Sequence, residues 1–145
     1  MSSYVNSVTY GLFHSLSSSS LLVNSGVNVC VNNILNTDPN LTPWVGVYSF
    51  DFNIEPVRIS RTTPYKYVFT SVVYVQAASM ESSDAAVEEL DKATNIVITS
   101  VLSNNTLLDS VDFIRNISAS PFDRDLNDEQ WMFSNEITIE SERNV

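Results

Sequence analysis

"YKYVFTSVVYVQAAS" occupies residues 65–79, and "MESSDAAVEELDKATNIVITSVL" follows it over 80–102. The first run is rich in Val, Tyr, Phe and Thr, whose branched or flat side chains fit a pleated surface, so it predicts a strand. Its near-continuous apolar character points to a central place in a sheet. In the second run Val87, Leu90, Thr94, Val97, Ile98 and Val101 recur at steps that line one helical face, which predicts a helix from Ser82 to about Leu102. Ser82, Ser83 and Asp84 are its N-cap candidates, and Asp84, Glu88 and Glu89 complement the positive end of the helix dipole.

The flanking segments alternate in the same way between helical and extended periods. Upstream, Val5, Val8, Leu12, Phe13 and Leu16 predict a first helix over residues 3 to 18, ended by the Ser-rich "SLSSSSLL". Val27, Val29 and Val31 alternate with Asn28, Cys30 and Asn32, the period of a half-buried strand. Pro, Asn and Asp crowd a loop over 36–43, and "WVGVYSFDFNIEPVRI", 44–59, supplies a second strand that Pro56 should interrupt or end. Downstream, "LLDSVDFIRNIS", 107–118, predicts a fourth strand, and "SPFDRDLNDEQ", 120–130, a polar, acidic and mobile connection. In the last strand, 131–140, Trp131, Phe133, Ile137 and Ile139 share a core face with Asn135 their one polar member, while the other face is wet. The order helix, three strands, helix, two strands predicts an α+β domain: a mainly antiparallel, mixed sheet of about five strands with two helices packed on one face.

The 145 residues fit a single domain, 1–145. Hydrophobic residues at 43% and charged ones at 17% describe a folding chain. Apolar runs fall far short of the ~20 residues that span a bilayer, and the N-terminus lacks the basic region of a secretion signal. No membrane role is expected. Cys30, the one cysteine, cannot form an internal disulfide, and Val29 and Val31 beside it favour a buried, inert thiol. Seventeen acidic against seven basic residues give a net charge of -10, which argues against tight nucleic-acid binding. It suits a surface that DNA must pass without sticking.

Side chains that carry chemistry are scarce, and no enzyme activity, metal or cofactor is expected. His14 is the only histidine, so neither a zinc site nor a Ser-His-Asp triad has its usual parts. Gly11, Gly26 and Gly46 lie too far apart for a phosphate-binding loop. The cluster Asp123, Asp125, Asp128 and Glu129 lacks the glycine and distal glutamate of a calcium loop and reads as solvated. Asn40, Asn104 and Asn116 head glycosylation triplets that need a secretory pathway to matter. Paired carboxylates remain open in principle, although nothing singles out a pair. What stands out is aromatic and apolar: Trp44, Val45, Val47 and Tyr48, then Trp131 and Phe133, are core residues or a subunit interface.

The residue order also resembles a known family. A short N-terminal helix, then "TDPNLTPWVGVYSFDF", "YVFTSVVYVQAASMESSDAAVEELDKATNIVITSVL", "NNTLLDSVDFI" and a closing strand look like the tail terminator proteins of long-tailed bacteriophages. The likeness covers nearly the whole chain, and its most telling pieces are Pro43 to Tyr48, Val75 to Ser79 running into the acidic helix, and "LLDSVD". It implies a structural protein of the virion neck, made in the bacterial host cytoplasm. Six copies would form a homohexamer ring that caps the tail tube, ends its polymerisation and joins it to the head-side connector. Genomic DNA would only pass through the lumen, and the acidic charge makes Asp84, Glu88, Glu89 and Asp91 the lumen-facing candidates. Three other readings stay open: another neck subunit for head completion or adaptation, a small-ligand or peptide-binding module, and a carboxylate-based hydrolase.

Overall fold

The computed structural model describes residues 4–31, 42–56, 65–108, 110–127 and 130–144. In chain order it forms α1 (Tyr4–Ser17), α2 (Ser20–Asn24), β1 (Asn28–Val31), β2 (Trp44–Pro56), β3 (Tyr65–Ser79), α3 (Ser83–Ser103), β4 (Phe113–Asn127) and β5 (Gln130–Asn144). The strands make one sheet in the order β1-β2-β3-β5-β4, parallel only between β1 and β2 and antiparallel elsewhere. This is the α+β architecture anticipated above, with α2 added as a third, five-residue helix.

β3 lies at the centre because both of its ladders are nearly full length, to β2 from Tyr65 to Gln76 and to β5 from Lys66 to Ser79. Its side chains at Phe69, Val73, Val75 and Ala77 turn toward the helices and meet Val45, Val47, Phe133, Ile137 and Ile139 from the neighbouring strands. α3 closes over this surface with Ala86, Leu90, Ala93, Val97 and Val101, and α1 with Val8, Leu12 and Leu16. Each fully buried Val or Leu is worth about 1.5–3 kcal/mol of transfer free energy, so this single cluster dominates stability.

Local signals hold the helices in place. Ser82 is extended, and its hydroxyl accepts the Ala85 N–H at 3.1 Å, satisfying one of the donors a helix start leaves unpaired. Asn135, the polar member of the β5 core row, is buried and donates from Nδ2 to Thr94 Oγ1 at 3.1 Å. Thr94 in turn donates to the Leu90 carbonyl at 2.8 Å. The polar residue therefore ties sheet to helix rather than breaking the core.

Gly11 sits inside α1, where glycine weakens a helix by about 1 kcal/mol relative to alanine. Close approach explains it: a Cβ there would collide with the Leu107 carbonyl and lie 2.6 Å from Ser110 Oγ. The turn after α3 docks on α1 at this point and buries Leu107 completely.

Three segments depart from the expectations. Residues 107–112 are not the start of a strand. Leu107 and Leu108 have φ of 47° and 59°, and this left-handed turn delays β4 until Phe113. The connection expected over 120–130 is the second half of β4 up to Asn127, in register with β5 from Pro121↔Asn135 to Asn127↔Gln130. Its polar residues join a ladder because backbone hydrogen bonding to β5 needs no apolar pattern from an edge strand. Finally, the sheet face away from the helices is not uniformly wet. Val68, Val72, Gln76, Met132 and Ser134 are buried there, since β3 and β5 carry ladder neighbours on both sides. Of the expected loop over 36–43, only 42 and 43 fall among the described residues.

Candidate subunit-contact surfaces

The aromatic candidates divide by strand alternation. Val45, Val47 and Phe133 point to the helices and are core, at 0%, 0% and 6% exposure, so this chain already covers them. Trp44 points to the opposite face, pairs in register with Gln76 and is also buried; its indole N–H finds no acceptor among the described residues. Tyr48, four residues on and on the same face, is exposed. Trp131 is half-buried and meets Phe133 edge-on, with ring centroids 6.2 Å apart. Only Tyr48 and part of Trp131 therefore remain available to a partner.

The acidic candidates all lie on the first half of α3 and are exposed. Asp84 and Glu88 occupy the outward face. Asp91 turns toward β4, lining a hollow with Ser120 and Asn135. Glu89 turns the other way, beside Ser25 and Val27, with Lys92 Nζ 4.0 Å away. The structure does not gather the four at one spot. On the opposite sheet face Lys66 bridges Glu55 at 3.3 Å and Glu142 at 3.4 Å, and the Tyr74 phenol is held above its usual pKa, first by burial and then by Glu136 and Tyr48 nearby.

Charge is absent from long stretches of the chain. Residues 1–37, 93–108 and 116–122 contain no Asp, Glu, Lys or Arg. In the fold these stretches include α1, α2, β1, the C-terminal half of α3 and the middle of β4. They also hold several of the most exposed apolar side chains: Leu21 at 47%, Val23 at 62% and Leu102 at 58%. Between α3 and β4 lies an open groove of about 490 Å3, lined by Ile98, Leu102, Ile114 and Ile117 with Arg115 at its side. A smaller hollow of about 280 Å3 lies between α3 and the α2–β1 connection. α3 therefore has α2 on one flank and the groove on the other.

Among the described residues β1 pairs only with Trp44 to Val47 of β2, while β4 carries two register breaks, between Ile114 and Asn116 and between Pro121 and Asp123, plus a proline that cannot donate. The breaks and the proline blunt edge-to-edge pairing along β4.

His14 is exposed on α1 and stacks near Tyr10, with ring centroids 6.3 Å apart, while Cys30 is a half-buried free thiol on β1. Among the described residues no group of three His, Cys, Asp or Glu is placed to hold a metal ion, and no helix is long and apolar enough to cross a membrane. Aromatic content alone did not reveal the exposed apolar set of Leu21, Val23, Leu102 and the groove residues. The signal that marks them is the lack of charge in a strongly acidic chain. Neither a scan against protein-family models nor a search of curated proteins finds a match for this chain.

Proposed function

We propose that this chain is a non-enzymatic structural subunit that assembles with copies of itself into a ring, capping the tail tube of a long-tailed phage at the head-side connector. The observation that carries this reading is that a chain of net charge -10 leaves several exposed apolar side chains, among them Leu21, Val23, Leu102 and Leu108, on charge-free segments. Copies that repel over most of their surface associate where the charge is missing. The resemblance in residue order supplies the phage-specific part, including the tube, the connector, the passing DNA and a count of six.

Asp84 and Glu88, outward on α3, suit a wall that DNA passes, because fixed negative charge repels phosphate within about 8 Å at physiological salt. The test is a tube-assembly assay. Added during polymerisation of the cognate tail-tube protein, the chain should bind tube ends and stop elongation; tubes of unchanged length with no bound chain would refute the capping role.

A further inference from the structure

We infer that two copies of this chain pair through their α3–β4 grooves about a two-fold axis, with the α3 helices antiparallel and Ile98 of each copy opposite Leu102 of the other. On α3, Asp91, Asn95, Ile98, Leu102 and Asn105 follow one another at steps of four, three, four and three residues, the spacing by which one helix lies along another. Ile98, Leu102 and Asn105 line the groove, and Asp91 lines the hollow that adjoins it; Ala119 lines both, so they form one furrow along this flank of α3. The stripe is apolar at its centre and polar toward both ends. Antiparallel pairing about the midpoint between Ile98 and Leu102 therefore sets apolar on apolar twice and Asn95 against Asn105 of the second copy twice. Leu102 is more than half exposed in the single chain, and pairing removes it from water together with half-buried Ile98, Ile114 and Ile117.

Charge identifies a second copy as the occupant and fixes its direction. Exposed Asp91 stands at one end of the furrow and exposed Arg115 at the other, beside Ile114 and Asn105. Among the described residues the ion pairs join Lys66 to Glu55 and Glu142 and Lys92 to Glu89, so neither Asp91 nor Arg115 is spent within the chain. Between the two ends α3 carries no charge after Lys92 and β4 none from 116 to 122. An antiparallel copy brings its Arg115 end to the Asp91 end of the first, and the two-fold axis repeats that match. A parallel copy would set acid on acid and base on base. The surface is thus complementary to itself, which is what a two-fold contact requires, and such a contact closes at two copies. It does not depend on the ring reading, whose repeat needs a separate head-to-tail contact.

The test uses the full chain with Leu102→Asp, Asp91→Arg and Arg115→Asp made separately, each at an exposed position, and circular dichroism checks that every variant folds. In native mass spectrometry over a concentration series, wild type should form a dimer, and each variant should need at least about tenfold more protein to do so. Mixed in equal amounts, the two charge variants should form a mixed dimer that neither forms alone, because both end-to-end contacts then join opposite charges again. Dimerisation of Leu102→Asp as good as that of wild type, or a mixture no better than its two components, would overturn the contact. If wild type forms a larger oligomer that all three variants leave unchanged, the two-fold contact falls while the ring reading stands. A wild-type dimer with nothing larger, lost in the variants, supports the contact and speaks against the ring. If wild type stays monomeric at every concentration, both fall.

Discussion

Replacing Gly11 by alanine sets two forces against each other. Within α1 the change favours folding by about 1 kcal/mol, because glycine loses more backbone freedom than any other residue. Against it stands the contact with the turn after α3: the new methyl would overlap the Leu107 carbonyl and lie 2.6 Å from Ser110 Oγ. The serine can rotate, but the carbonyl belongs to a turn whose two leucines already adopt left-handed φ. Either the turn retreats, drawing fully buried Leu107 from the core, or α1 lifts from the sheet. Overpacking of this kind costs about 1–3 kcal/mol, and withdrawing part of a buried leucine adds about 1 kcal/mol more. The expected net loss is about 1–3 kcal/mol, or ~3–10 °C in Tm at the usual unfolding entropy per residue. Thermal unfolding followed by circular dichroism at fixed protein concentration measures it. A Tm raised by about 3 °C, the helix-propensity gain alone, would refute the close docking of the turn on α1.

Further predictions concern the polar links. Thr94→Val keeps the shape of the side chain but takes from buried Asn135 the oxygen it donates to, so urea unfolding should show a loss of about 1–3 kcal/mol. Adding Asn135→Leu should recover part of that loss, and an additive pair would show that the two do not interact. Ser82→Ala removes the hydroxyl that accepts the Ala85 N–H and should lower stability by about 1 kcal/mol in the same assay. Tyr74 has a raised pKa in the folded state, so its neutral form is the one folding favours. Stability linked to it is complete below the ordinary value of 10.0 and falls as pH rises above that value. Tyr74→Phe should lessen the loss of stability between neutral and strongly alkaline pH, and an unchanged alkaline slope would contradict the placement of this phenol.

The parts of the fold legible in the sequence are those where one side-chain period governs a whole element. β3 over residues 65–79 and α3 from Ser83 show this, since each buries a continuous row of its own side chains. The second half of β4 was not legible, because an edge strand there depends on the backbone ladder offered by β5 and displays Asp, Arg and Asn without any apolar alternation. Residues 107–112 misled for the opposite reason. "LLDSVD" looks extended, yet Leu107 is buried by a turn that reverses direction against Gly11. Among the candidate contact residues, Trp44 to Tyr48 stood out by composition, but alternation sends Val45 and Val47 into the core and leaves Tyr48 exposed. The α3–β4 groove is made by elements remote in sequence, so only the charge-free run over 93–108 hinted at it.

The account turns on self-assembly, and the mass of the purified chain in solution, by native mass spectrometry across a concentration series, tests it most directly. A discrete closed oligomer that grows in population with concentration, without a ladder of ever larger species, is the predicted result. A species that remains at the 16.2 kDa of one chain at every concentration would contradict it.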